Sequence, residues 1–302
     1  MQLPDHVLVR RVSLALGLLA LGGLLLVQML QPHGPVAAAL RRDTYRLRIL
    51  TWNVGKIFLP FDSRATDSRA SDDDLAHIAQ VVRETDPDVV ALQELRGREQ
   101  LDRLLDLLGG GYQGSVPEHE VNDRRVAIFA RVPAADGGAA SAAGGLAFRG
   151  VTTSTGRSAE AVSLPVGAGA RALVVSIHLD AFDRDLRRVQ AEEIVDWANR
   201  QPEPEVFLCG DFNFDYAFLQ GQGAEHPDLH LYRFMSRTFE DLGRAAGLTT
   251  ILARRVDYIF ARTSGVQTRE VRVVPGRRRT LMDHEPVFGS FEIRRPAAPG
   301  RR

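Results

Sequence analysis

Residues 205–213 read EVFLCGDFN, an apolar run that ends in Gly-Asp-x-Asn. Val206, Phe207, Leu208 and Cys209 are continuous in their apolarity, as a strand buried on both faces requires. Gly210 permits a tight backbone turn, and Asp211 and Asn213, two apart, project to the same side. A carboxylate and an amide at the rim of a rigid sheet can orient a water and donate hydrogen bonds to a phosphoryl oxygen. The same Asp-x-Asn pattern closes Asx turns without any chemistry. Its meaning therefore depends on what else the chain brings to the same rim.

The pattern recurs on both sides. Upstream, 171–180 (RALVVSIHLD) predicts a strand ending in His178, followed by a helix over 184–200 with Leu186, Val189, Ile194 and Trp197 apolar. Earlier strands are expected at 124–131 and 160–166, with a Gly/Ala-rich loop at 134–145 between them. DVVALQEL (88–95) reads as a buried strand carrying Glu94 at its end, and the helix after it, 98–108, is stopped by Gly109, Gly110 and Gly111. Leu75, Ile78, Ala79 and Val82 form an i, i+3, i+4, i+7 stripe on a helix that the acidic end of DSRATDSRASDDD (62–74) can cap. The first strand, YRLRILTWNV (45–54), delivers Asn53. Downstream, the pattern predicts a helix over 228–246 and strands over 254–262, 268–275 and 285–293. This mixture of strand-helix alternation and neighbouring strands predicts an α/β sandwich of two mixed sheets with helices outside.

Residues 12–30, VSLALGLLALGGLLLVQML, carry no charge. As a helix they would span roughly 28 Å at about 1.5 Å per residue, close to the bilayer core. Arg10 and Arg11 precede them, and the stretch exceeds the usual h-region of a signal peptide, so it reads as an uncleaved transmembrane signal anchor. The competing reading is a signal peptide cut near Ala37-Ala38-Ala39. The expected layout is a short basic segment at 1–11, the anchor at 12–30, a linker at 31–45, one domain at 46–293 and a tail at 294–302.

With 44% hydrophobic residues in 302, a sizeable core is available. Lys+Arg and Asp+Glu are both 38, so any attraction for phosphate must be local rather than global. Cys209 is the single cysteine, which excludes an intramolecular disulfide framework and suits a small buried hydrophobe. Histidine and cysteine show no clustered spacing of the kind zinc hydrolases use.

Polar residues stand at the ends of apolar runs throughout: Asn53, Glu94, His178, Asp211 with Asn213, Asp257, and Asp283 with His284. Each alone has a plain reading, Glu94 as a solvated strand end, His178 as a satisfied core histidine, Asp257 as a partner of Arg255. Their repetition in one order argues for a joint site. The segments TWNVG (51–55), ALQE (91–94), SIHLD (176–180), GDFN (210–213), RVDYIF (255–260) and MDHEPV (282–287) resemble the successive motifs of the endonuclease/exonuclease/phosphatase superfamily, from about Arg46 to Ile293.

The resemblance implies the DNase I-like fold, a four-layer α/β sandwich. Position by position it implies Mg²⁺ or Mn²⁺ held by Glu94 with Asn53 beside it and an outer contribution from Asp211 or Asp283, through the hard oxygens these cations prefer. It implies Asp211 orienting or deprotonating the attacking water and Asn213 steadying the phosphate. His284 would contact the scissile phosphate, with Asp257 on its other ring nitrogen, and His178 would donate to a phosphate oxygen. The implied reaction is phosphoester hydrolysis by in-line displacement.

The chain departs from two subfamilies it resembles. Members similar to exonuclease III follow LQE with Thr or Lys and precede the final Asp-His with Ser, where Leu95 and Met282 stand. Inositol polyphosphate phosphatases read GDLNYR where this chain has GDFNFD. The stretch HLDAF (178–182), followed by an Arg/Gln helix, is most similar to bacterial members described only as metal-dependent hydrolases. Lys56 reads either as a phosphate contact or as a plain surface lysine, and Arg124, Arg125, Arg277, Arg278 and Arg279 as a phosphate-facing patch or a solvated charge run. The expectation is a monomeric, Mg²⁺-dependent phosphoester hydrolase, a phosphodiesterase or phosphomonoesterase, tethered to a bacterial inner membrane with its domain periplasmic or extracellular. Its substrate is nucleic acid or a phospholipid headgroup. The alternative is a catalytically silent binding or scaffold domain on the same fold.

Overall fold

The computed structural model describes residues 43–56, 70–118, 125–132, 145–167, 170–221, 226–262, 265–276 and 282–295. The stretch 12–30, its linker up to residue 42, Arg124, Arg277, Arg278, Arg279 and the end of the chain from 296 lie outside them. Among the described residues no helix is long and apolar enough to cross a membrane.

Two six-stranded mixed sheets carry the chain between Thr44 and Arg295. The first comprises β1 (Asp43–Asn53), β2 (Val89–Leu95), β3 (Tyr112–Ser115), β4 (Arg125–Arg131), β11 (Val266–Val273) and β12 (Val287–Arg295), in the order β11-β12-β1-β2-β4-β3. The second comprises β5 (Ala147–Thr152), β6 (Ser158–Pro165), β7 (Arg171–His178), β8 (Glu205–Asp211), β9 (Glu240–Asp241) and β10 (Asp257–Arg262), in the order β5-β6-β7-β8-β10-β9. Each sheet holds a parallel pair, β1 with β2 and β7 with β8. Parallel neighbours need a crossover, and α1 (Asp72–Thr85) and α3 (Arg184–Asn199) provide it. The carboxyl ends of these four strands are where Asn53, Glu94, His178 and Asp211 stand.

Side-chain alternation sorts the apolar residues into layers. Ile49, Val89, Val174, Phe207, Cys209 and Phe291 pack between the sheets. Leu50, Trp52, Val90 and Leu92 face α1 and α2 (Arg98–Leu107) instead. Val206 and Leu208 lie with Ile194 of α3 and with Leu231 and Tyr232 of α5 (Pro227–Met235). Residues 206–209 are thus buried on both faces, the arrangement the apolar run predicted, and the architecture is helix, sheet, sheet, helix. Burial also pushes the Cys209 thiol pKa up, so it stays a neutral core group.

α1 opens on a capping box at Ser71 and Asp74, with Asp72, Asp73 and Asp74 in its first turn. Three local expectations differ from the structure. Gly210 makes no turn: it stays in β8 at φ +148°, pressed against the Ile177 carbonyl of β7. The helix expected over 228–246 stops at Met235, because the Asp241 carboxylate accepts from Arg255 Nη2 at 2.5 Å and Tyr232 OH at 3.1 Å while Glu240 and Asp241 pair with β10. The edge strands β3 and β5 were unmarked, since their residues alternate too weakly between buried and exposed. The short helix α4 (Tyr216–Leu219) was unmarked too; it is capped by the Asp215 side chain.

Candidate active site

Strand register sets the site. His178 pairs with Asp211 across the parallel β7 and β8, and Asp211 pairs with Asp257 across the antiparallel β8 and β10. Directly opposed residues face the same side of a sheet, so these three form a row. In the facing sheet Asn53 pairs with Gln93 at the end of β1 and β2. The β2–β4 register then slips between Leu92 and Leu95, and Glu94 takes φ +67°. A non-glycine residue in that region costs about 1–3 kcal/mol and persists only where its surroundings fix it. Here the bulge turns the Glu94 carboxylate toward the second sheet.

The side chains meet across the gap. Asn53 Nδ2 donates to Asp211 Oδ2 at 3.0 Å and to Glu94 Oε1 at 3.3 Å, while Asn53 Oδ1 accepts from Gly55 N at 2.9 Å. The amide orientation follows from its partners: a donor behind it and two carboxylates in front. His178 Nε2 stands 3.7 Å from Asp211 Oδ2 and 3.9 Å from Glu94 Oε1, and His284 Nε2 stands 3.8 Å from Asp211 Oδ2. These gaps exceed a hydrogen bond. Asp211 Oδ2 is thus the common neighbour of two imidazoles and one amide.

Behind His284, its Nδ1 lies 2.8 Å from Asp257 Oδ2, and its carbonyl accepts from Trp52 Nε1 at 3.0 Å. A buried carboxylate makes Nδ1 the donor and leaves Nε2 facing the cavity. Asp257 is itself held by Thr249 Oγ1, which accepts from its backbone N–H at 3.3 Å.

Burial, the strongest influence, raises the Asp211 pKa, and Asp257 adds to it; cationic His284 and the bonds from Asn53 and Asn213 N–H pull only part of the way back. For His284 burial alone would lower the pKa, but Asp257, Asp211 and Asp283 outweigh it and raise it. The pair is therefore a weakly acidic carboxyl beside an imidazolium held in place from behind.

Asn53, Glu94, His178, Asp211, Asn213, Asp283 and His284 all line one cavity of about 380 Å³, together with Lys56, Ala181 and Phe182. Asp257 sits one layer further in. Asn213, at φ +53°, gives its backbone N–H to Asp211 Oδ1 at 2.8 Å and its Nδ2 to the Leu179 carbonyl at 2.9 Å. Lys56 lines the cavity with its charge already paired: Nζ pairs with Asp74 Oδ2 at 2.8 Å and donates to Ser71 Oγ at 3.0 Å. Arg255 pairs with Asp241, not Asp257. Arg125 lies outside the cavity and donates to the Pro117 carbonyl.

The donor set suits a hard divalent cation, which takes one or two carboxylates and fills its remaining positions with water and substrate. The carboxylates of Glu94, Asp211 and Asp283 open on the same space. Gly55 leaves room for one of them, since a methyl there would meet Glu94 Oε2. Ligand atoms of Asp211, Asp257 and His284 also lie within 4.8 Å of one another. The 2.8 Å bond between Asp257 and His284 makes that trio an orienting chain first.

Four contributors carried no signal of their own in the sequence: Gly55, Trp52, Thr249 and Phe182. Gly55 and Trp52 lie inside TWNVG, and Phe182 closes HLDAF, so position within a motif was the one available pointer.

A family model described as the endonuclease/exonuclease/phosphatase family matches residues 50–279. Among solved structures, an endonuclease/exonuclease/phosphatase from Beutenbergia cavernae aligns with a TM-score of 0.60 at 20% identity, over 82% of this chain and 72% of that one. The human Nocturnin catalytic domain with bound sulfate gives 0.57 at 16%, over 84% and 97%. A mannosyl-6-phosphatase from Bacteroides thetaiotaomicron gives 0.56 at 19%, over 81% and 99%. At these identities the likeness is one of fold. No protein of curated function matches the chain.

Proposed function

The chain belongs to the endonuclease/exonuclease/phosphatase family, and from that membership we propose that it is a divalent-metal-dependent phosphoester hydrolase, a phosphodiesterase acting on nucleic acid or a phospholipid headgroup. The observation that carries this is the setting of Asp211 Oδ2, which faces Asn53 Nδ2, His178 Nε2 and His284 Nε2 in one cavity.

Asp211, with its pKa raised, can take a proton from an attacking water near neutral pH. His284, kept cationic by Asp257, presents Nε2–H to a phosphate oxygen, and His178 adds a second donor on the opposite side of Asp211. Asn213 ties Leu179 to Asp211, which keeps His178 and Asp211 in step. Asn53 holds the two carboxylates at a fixed separation through one amide. Glu94, with Asp283 and Asp211 near it, would hold the cation, which when bound neutralises charge on the phosphoryl group. Two of the similar structures support a tetrahedral oxyanion as ligand, one by its bound sulfate and one by its description as a phosphatase. The uncharged stretch 12–30 supports a membrane tether with the domain on the periplasmic or outer side.

The test is hydrolysis of a chromogenic phosphodiester, DNA, RNA and phospholipids by the purified chain with Mg²⁺, Mn²⁺ or chelator, beside His284→Ala. Turnover that requires metal and vanishes in the variant is expected. Turnover that persists in chelator would remove the metal from this function, and none on the whole panel would replace it with a silent scaffold.

A further inference from the structure

The exposed large apolar side chains are unevenly placed among the described residues. Leu107 and Val132 lie at the edge remote from the cavity, Leu107 closing α2 and Val132 following β4, whose Ala130 pairs with Val89 at the start of β2. Phe182, Leu186, Phe218, Leu248, Ile251 and Leu252 all lie at the cavity edge, on the connections leaving β7 and β8 and entering β10. Phe182, 92% exposed, lines the cavity itself. Leu252 is 73% exposed, and its neighbour Ile251 donates its N–H to the Asp283 carbonyl at 3.0 Å. Apolar tips therefore stand on two sides of the mouth. Exposed apolar groups gathered in this way and rimmed by polar residues mark an interaction or membrane site.

Charge selects between occupants. Next to Phe182, Asp180, Asp183 and Asp185 stand against Arg184, Arg187 and Arg188, and the last two already pair with Asp228 and Glu192. A nucleic-acid backbone needs a cationic track, and among the described residues the charges beside Phe182 are balanced. Two arginines of this edge lie over aromatic rings, Arg254 at 3.2 Å from the Phe218 centroid and Arg244 at 5.5 Å from that of Tyr216. Amphipathic pairs of that kind suit the boundary between headgroups and acyl chains. The chain's own apolar stretch is compatible. The uncharged run at 12–30 is itself long enough to enter a bilayer.

We propose that this edge seats the site on a lipid bilayer, with Phe182 and Leu252 entering the acyl region on either side of the mouth. That the mouth then receives a phospholipid headgroup rests on the phosphoester function proposed above; the seating itself does not.

Cys209 is the sole cysteine and is buried, so an introduced thiol can be labelled selectively. The full chain is placed in phosphatidylcholine vesicles with a polarity-sensitive fluorophore at Phe182→Cys, Leu252→Cys, Leu107→Cys or Val132→Cys. Labels at 182 and 252 should shift to the blue and lose emission to nitroxide lipids, while those at 107 and 132 should do neither. Equal, water-like emission from all four overturns the proposal. So does a response at 182 and 252 to a single-stranded oligonucleotide but not to nitroxide lipid, or one that follows protein density alone, which would assign the face to a second copy. Buried labels in a chain that hydrolyses no phosphoester would keep the bilayer face and remove the phosphoesterase function.

Discussion

Gly55 packs so closely on Glu94 that an added methyl would stand 2.3 Å from Oε2 and 3.0 Å from Asn53 Oδ1. The obstacle is the tip of a flexible side chain, so the backbone can accept the methyl once the carboxylate moves. Gly55→Ala should therefore leave stability within about 1 kcal/mol, or roughly 2–4 °C in Tm, while lowering metal-dependent turnover about 10–100-fold, the usual cost of losing a ligand's supporting contact. Thermal melts and phosphodiester kinetics on the same sample separate the two effects. Unchanged turnover would show that the position of Glu94 does not limit the reaction.

Gly210 predicts the opposite division. A methyl there would lie 1.9 Å from the Ile177 carbonyl oxygen, and φ is +148°. The obstacle is backbone in the central parallel pair, which cannot yield without separating β7 from β8. Gly210→Ala should destabilise by about 3 kcal/mol or more and lower Tm by roughly 6–12 °C. A melt within a few degrees of the parent would mean that the two strands tolerate a wider spacing than this.

The same residues show what the sequence could and could not display. The run 206–209 announced a strand buried on both faces because its apolarity has no gaps, and that property alone fixes a central strand between two packed layers. At Asp211 the two sequence-level meanings proved compatible: Oδ1 closes the Asx turn with Asn213 N, and Oδ2 faces Asn53 in the cavity. Which residues share the cavity was legible only as an order of motifs, since register across β7, β8 and β10 is a property of pairing and not of any one segment. The end of α5 was hidden for a similar reason: Asp241 breaks the expected helix through Arg255 and Tyr232, partners that only the tertiary fold brings near. The support from Trp52 and Thr249 was invisible because an indole N–H or a hydroxyl carries no spacing signature.

Asp257 tests positioning apart from metal binding. Its Oδ2 lies on His284 Nδ1, while its Oδ1 is buried without a partner among the described residues. Asp257→Asn keeps the shape but removes the charge that holds His284 cationic. Turnover should fall about 10–100-fold, with the Mg²⁺-induced rise in Tm retained. Glu94→Gln should instead abolish that rise, which amounts to about 2.7 kcal/mol at a hundredfold excess over Kd. The paired readout is Tm with and without Mg²⁺ for both variants, and loss of the rise in Asp257→Asn would place Asp257 among the metal ligands.

Glu203 predicts the acid limb of stability away from the site. Its Oε1 accepts from Ser163 Oγ at 2.6 Å and its Oε2 from Arg149 Nη2 at 2.5 Å. Burial alone would raise its pKa, but the bonds from Arg149, Ser163 and its own backbone N–H outweigh burial and lower it. A carboxyl depressed in the folded state contributes stability that is complete above the unfolded value of about 4.3 and is lost as pH falls through the folded value below it. Glu203→Gln should therefore be less stable at pH 7, by about 1–3 kcal/mol for a lost charge-assisted bond. The gap between parent and variant should close as pH drops below about 4. Tm measured from pH 7 to 3 checks this, and a gap that stays constant across the range would show that the Glu203 charge contributes nothing to the acid limb.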